Sequence, residues 1–129
     1  MTVRVATYVR AGQLTRRTAT KELDRRRDRL LATVAHWPGC VIVASYADAG
    51  DPRSTHRPGL AALLADTAAQ RFDVVVVESL DQLAGDPATL RAVLWQLGAI
   101  GVWVPPTYSH RRARAAGWAA VAMLELLGD

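Results

Sequence analysis

Two arginines and one aspartate stand just beyond predicted strand ends, where they could hold a phosphate group. Arg10 follows the first predicted strand, Arg57 follows the second, and Asp81 follows the third. Arginine suits this task because its guanidinium stays charged and binds phosphate oxygens in pairs. A buried arginine–aspartate ion pair involving Asp81 would explain the same residues structurally, so both interpretations stay open.

An alternation of strands and helices must position these side chains. The predicted strands are Val3–Tyr8, Val41–Tyr46, Phe72–Val77 and Gly101–Pro105. The predicted helices are Thr18–Trp37, a segment that begins at Pro58, Pro87–Leu97, and a final segment from about Arg112 to Leu127. This order predicts an α/β fold with a mostly parallel four-stranded sheet and helices on both faces. Ligands bind such sheets at the carboxyl ends of the strands.

Length and composition favour one packed domain over residues 1–129, because half of the 129 residues are hydrophobic. The single cysteine, Cys40, excludes an internal disulfide and suits the cytoplasm. We expect no signal peptide and no membrane span, since no apolar run approaches the required length of about 20 residues. The three scattered histidines and the absence of a glycine-rich phosphate loop argue against a metal or a nucleotide cofactor.

Positive charge is concentrated in the first predicted helix. The chain has a net charge of +4, and seven basic residues fall between Arg16 and Arg29. The arginines that could contact DNA phosphates there are Arg16, Arg17, Arg25, Arg26 and Arg29. Acidic residues are interspersed among them, so a solvated helix face explains the same pattern.

Three motifs give the chain a resemblance to the serine recombinases, the resolvase and invertase family. The first is Tyr8-Val-Arg-Ala-Gly12, which is similar to the family's Tyr-x-Arg-Val-Ser. The second is Asp48-Ala-Gly followed by Arg57-Pro-Gly-Leu60, and the third is Phe72-Asp-Val-Val-Val-Val-Glu-Ser-Leu-Asp81. Their order and spacing match over nearly the whole chain, which implies the resolvase-like fold.

The resemblance also implies a chemistry. In the family, a serine hydroxyl attacks a DNA phosphodiester and forms a phosphoserine link, without a metal. Arginines therefore carry the electrostatic stabilisation of the transition state.

This chain departs from that pattern at the reacting groups. Gly12 stands at the position of the nucleophilic serine, and Ser79, Gln82 and Gly85 stand where the family has basic residues. Arg10, Arg57 and Asp81 are retained, and the resemblance implies that they form a vestigial phosphate site. Thr15 and Thr18 offer nearby hydroxyls, but a threonine so far past the strand end would lie off the line of attack.

The final predicted helix is apolar around nearly its whole circumference. Within Trp118–Leu127 only Glu125 is polar, so one side can bury on the sheet while the other needs a partner. The alternative is a terminal helix buried in its own domain. The resemblance implies a subunit interface here, and we expect a homo-oligomer through Trp118, Met123, Leu124 and Leu127. The chain's other tryptophans are expected in the core or in an interface, and the family's helix-turn-helix domain is not expected.

These observations predict a catalytically inactive, serine-recombinase-like domain. Three function classes stay open. The first is a DNA-associated pseudo-recombinase, the second is a protein-binding regulatory or assembly module, and the third is a residual DNA-phosphoryl-transfer enzyme. The DNA site, the partner and the pathway are not predicted.

Overall fold

A computed structural model describes residues 2–12, 16–50, 56–97 and 101–103 of the chain. The strands are β1 (Val3–Ala11), β2 (Cys40–Ala49), β3 (Val74–Val76) and β4 (Gly101–Trp103). The helices are α1 (Arg16–Val34), α2 (Pro58–Ala68) and α3 (Pro87–Leu97), with a short 3-10 helix at Leu80–Gln82. The predicted α/β class is confirmed, and α3 has its predicted bounds.

All described strand pairs are parallel, and the strands lie in the order β2-β1-β3-β4. The chain therefore moves from β1 to one neighbour, β2, and then crosses back to the other, β3. This reversal places helices on opposite faces of the sheet. In such folds ligands bind at the carboxyl ends of the strands beside the reversal, here β1 and β3.

Two apolar clusters cover the two faces of the sheet. On one face, Leu30 and Val34 of α1 pack against alternate residues of β1 and β3, with Trp37 beside them. On the other face, α2 and α3 contribute Leu63 and Leu97 to a cluster around Tyr8. The continuous Val74–Val77 run supplies side chains to both clusters, as expected for a strand buried on both faces.

Several predicted boundaries were wrong. The first two strands continue beyond Tyr8 and Tyr46, because their ladder runs on through Val9 with Ala47 and Arg10 with Asp48. Asp48 is thus a strand residue and not a loop residue.

Helix α1 ends at Val34, before Pro38-Gly39, and Trp37 is buried in the turn that follows. Trp95 is 85% exposed on α3 and therefore lies outside the core, so its expected place in an interface stays a prediction. The final predicted helix, with Trp118, Met123, Leu124 and Leu127, lies outside the described residues.

Candidate functional site at the carboxyl edge of the sheet

The centre of the site is a chain of hydrogen bonds through the hydroxyl of Tyr8. This hydroxyl donates to Asp48 Oδ2 at 2.8 Å and accepts from Arg57 Nη2 at 2.6 Å. Tyr8 is fully buried and Asp48 is 6% exposed. Burial and the hydrogen bond to Asp48 raise the pKa of Tyr8 well above its usual value, and Arg57 opposes that effect. The tyrosine therefore stays protonated and donates to the carboxylate.

Asp48 also caps helix α2. Its Oδ1 accepts the backbone N–H of Gly59 at 2.7 Å, and its Oδ2 accepts that of Leu60 at 2.8 Å. These N–H groups have no partner within the helix, and a carboxylate at a helix N-terminus is favoured by the helix dipole. Asp48 therefore joins β2 to the start of α2.

The Arg57-Pro-Gly-Leu60 motif has a physical explanation at this junction. Pro58 is the first residue of α2, where its missing N–H removes nothing from the helix. A Cβ on Gly59 would lie 2.3 Å from the backbone oxygen of Ala47, so only glycine allows β2 and α2 to approach this closely. Leu60 is buried against the sheet. Three of the four motif residues therefore serve packing and helix initiation.

Arg57 ties the same junction to the segment after β3. Its Nη2 donates to the carbonyl of Gln82 at 2.6 Å, and its Nη1 donates to the carbonyl of Leu83. The guanidinium carbon lies 5.6 Å from the centre of the Tyr8 ring, within the range of a cation–π contact. The described contacts of Arg57 are thus made with groups of the protein itself.

Arg10 and Asp81 lie at the same edge of the sheet. The backbone N–H of Arg10 donates to Gln82 Oε1 at 2.7 Å, which fastens the 3-10 helix to the end of β1. The Asp81 carboxylate accepts the hydroxyl of Ser79 through Oδ1. A pairing of Asp81 with Arg10 or Arg57, and the convergence of the two arginines on one anion, stay predictions.

Space is available at the two glycines that replace expected functional residues. A Cβ built on Gly12 or on Gly85 would meet no atom of the described residues within 4 Å. Neither glycine has a positive φ. Local packing therefore does not require glycine at either position, in contrast to Gly59.

Arginines in the second half of α1 are engaged with carboxylates. Glu22 lies 3.0 Å from Arg26 and 3.3 Å from Arg25, and Arg27 lies 3.5 Å from Asp24. Glu78, which follows β3, contacts Arg26 as well and adds a contact with Arg29. The basic segment identified in the sequence is thus a network of mixed charge.

Three residues of this edge were given no role by sequence reasoning: Tyr8, Asp48 and Glu78. Tyr8 and Asp48 belong to the motifs that match the family. The signal that could have singled them out is a polar group within an otherwise apolar strand. Glu78 carried no such signal, because its partners lie about 50 positions earlier in the chain. Among the described residues, no three His, Cys, Asp or Glu side chains form a metal site. No described helix is long and apolar enough to cross a membrane.

The fold and the site define a parallel α/β domain with arginines at its carboxyl edge, and comparisons assign it to a family. Residues 5–105 match the model of the resolvase N-terminal domain, so the chain belongs to the resolvase family, a family of recombinase enzymes. No curated protein sequence matches the chain.

Solved structures share the fold. The catalytic domain of ISC1926 TnpA, an IS607-like serine recombinase, has a TM-score of 0.67 at 18% identity, with 92% of this chain and 80% of that chain covered. The catalytic domain of TP901-1 integrase has a TM-score of 0.62 at 22% identity, with 95% of each chain covered. A resolvase-family recombinase from Streptococcus pneumoniae has a TM-score of 0.62 at 19% identity, with 95% of this chain and 87% of that chain covered.

Proposed function

We propose that this domain keeps the serine recombinase fold but does not cleave DNA. The observation that carries the proposal is Gly12, which follows the end of β1 and has no hydroxyl to attack a phosphodiester. Because a side chain would fit at this position, its absence is a loss of chemistry and not a requirement of packing.

The surrounding residues support the same proposal. Tyr8, Asp48, Arg57 and Gly59 are retained, and each has a structural role at the junction of β1, β2 and α2. Ser79, Gln82 and Gly85 stand where the family pattern has basic groups that stabilise transition-state charge. The residues that hold the fold are kept, whereas the nucleophile and three basic residues of the family pattern are replaced.

Arg57 can still contribute to anion binding, but its described hydrogen bonds are directed elsewhere. It donates to Tyr8 and to the carbonyls of Gln82 and Leu83. To bind a DNA phosphate with the same N–H groups, it would have to leave these acceptors unsatisfied. We therefore propose that Arg10, Arg57 and Asp81 form a vestigial phosphate site whose present role is mainly structural.

A DNA-cleavage assay with restored residues tests the proposal. The substrate is a supercoiled plasmid carrying DNA that flanks the gene, and the products are separated on a denaturing gel. We expect no covalent protein–DNA adduct from the native chain or from Gly12→Ser. The single variant lacks the cations, so the added hydroxyl has no supporting charge. Activity in Gly12→Ser combined with Ser79→Lys, Gln82→Arg and Gly85→Arg would show that these four positions account for the loss.

For the retained function we propose an oligomeric module that associates with DNA and acts in regulation or assembly. The chain would work as one domain over residues 1–129 in the cytoplasm, as a homo-oligomer through Trp118, Met123, Leu124 and Leu127. The basic residues of α1 support the association with DNA. DNA affinity measured across salt concentrations tests this association. Each phosphate contact contributes about 0.9 to the salt slope, which is the fall in log affinity with log salt concentration.

A second candidate, a protein-binding module, is supported by the outer surface of α3. Trp95 is 85% exposed and lies in a shallow groove with Ala88, Arg91, Ala92 and Gln96. Tryptophan and arginine are enriched at the centres of protein interfaces. A chain that shows no salt-dependent affinity for DNA, and whose DNA-independent assembly is lost in Trp95→Ala, would favour this candidate.

A further inference from the structure

Glu78 connects the carboxyl end of β3 to helix α1. Its Oε2 lies 3.0 Å from Arg29 Nη2, and its Oε1 lies 3.3 Å from Arg26 Nη1. Arg26 and Arg29 are three residues apart on α1, so they project from the same face of the helix. One carboxylate is therefore held by two guanidinium groups, one on each oxygen.

Two arginine side chains can hold a phosphate group in the same way as they hold the Glu78 carboxylate. A phosphate group presents several charged oxygens, and arginine binds carboxylates and phosphates with the same donors. Here the anion is supplied by the protein itself. The side chains of Glu78, Arg26 and Arg29 are 22%, 28% and 54% exposed, so an external anion can reach the two arginines. The Glu78–Arg29 pair is the more exposed of the two, and exposed ion pairs contribute little to stability, so a polyanion can compete with Glu78 there.

We propose that Arg26 and Arg29 form a binding site for the phosphate backbone of nucleic acid, and that Glu78 occupies this site when no nucleic acid is bound. This inference rests on the proposed association with DNA and assigns it to two residues. Glu22 also faces Arg26, at 3.0 Å. The two arginines and the two glutamates, Glu22 and Glu78, together carry no net charge. When a phosphate displaces Glu78, the two arginines become available to bind it.

Removing the internal anion tests the proposal. The measurement is the affinity of the full chain for a labelled mixed-sequence DNA duplex at a series of salt concentrations. Glu78→Gln removes the competing charge and keeps the shape of the side chain. Asp28→Asn is the control, because it makes the same change in net charge next to Arg27, at a contact of 3.8 Å.

We expect Glu78→Gln to bind more tightly than Asp28→Asn, by about tenfold at low salt. In the control, the displaced Glu78 carboxylate stays beside the phosphates and offsets part of the counterion release, so Glu78→Gln should also have the steeper salt slope. Adding Arg26→Ala and Arg29→Ala to Glu78→Gln should remove the gain. Equal affinities and slopes for Glu78→Gln and Asp28→Asn would overturn this proposal and leave the association with DNA intact. No salt-dependent affinity in any of these chains would overturn both.

A second comparison leaves Glu78 unchanged. In the native chain, Arg26→Ala with Arg29→Ala should weaken DNA affinity more than Arg25→Ala with Arg27→Ala. The two double variants lose the same charge from the same helix. Equal losses would mean that α1 attracts DNA only through its total charge, and the assigned site would be wrong.

Discussion

The junction of β1, β2 and α2 should depend more on Asp48 than on any exposed helix cap. Asp48→Ala removes the acceptor for the N–H groups of Gly59 and Leu60 and for the hydroxyl of Tyr8. Loss of a cap costs about 1 kcal/mol, and a buried hydroxyl left without its acceptor adds about 1–3 kcal/mol. We therefore expect the free energy of unfolding to fall by about 3 kcal/mol.

The assay is urea unfolding of Asp48→Ala, Asp48→Asn and the native chain. Asp48→Asn keeps one acceptor oxygen for a helix N–H, so its loss should be smaller than that of alanine. The matched control is Asp86→Ala, which removes an exposed cap that accepts the N–H of Thr89 at 2.8 Å. Because water replaces that cap, this variant should lose much less stability. If Asp48→Ala and Asp86→Ala lose equal stability, the buried network does not hold the site together.

Three further predictions follow from packing, ionisation and assembly. Gly59→Ala should destabilise the chain by about 1–3 kcal/mol in urea unfolding, because its Cβ would meet Ala47. In Gly85→Ala the added Cβ would meet no described atom within 4 Å, so this variant should be neutral or slightly stabilising. Equal losses of stability in the two variants would contradict the close approach of α2 to β2. Burial and the hydrogen bond to Asp66 raise the pKa of Tyr46 to about 12. The stability from this tyrosine is therefore complete below its unfolded pKa of about 10 and falls as the pH rises towards 12, a loss that Tyr46→Phe should remove. The native chain should have at least the mass of a dimer by light scattering at micromolar concentration, and Leu124→Glu should lower it; an unchanged mass would count against assembly through that segment.

Much of the fold could be predicted because apolar periodicity reports burial. The run Val74–Val77 is buried on both faces, and α3 begins and ends as predicted because Pro87 and its leucine spacing mark it. The ends of β1 and β2 could not be predicted. Arg10 and Asp48 resemble loop residues in sequence, and only pairing with the neighbouring strand shows that the ladder continues through them.

The site was predicted in part for a similar reason. Motif spacing located Arg57 at the carboxyl edge of the sheet, but sequence does not show that its guanidinium is directed at Tyr8 and at two backbone carbonyls. The ion pairs of Glu78 were missed because they join residues 49 and 52 positions apart, and charge patterning along one helix reveals only local partners.

Loss of the family's nucleophile can be measured as the absence of a covalent adduct between the chain and DNA. The native chain is incubated with supercoiled DNA, denatured, digested with nuclease and analysed by mass spectrometry for a nucleotide attached to a hydroxyl side chain. We expect no modified residue, because Gly12 offers no hydroxyl at the end of β1. A nucleotide attached to any serine or threonine, such as Thr15, Thr18 or Ser79, would contradict this expectation and show that the catalytic hydroxyl has moved.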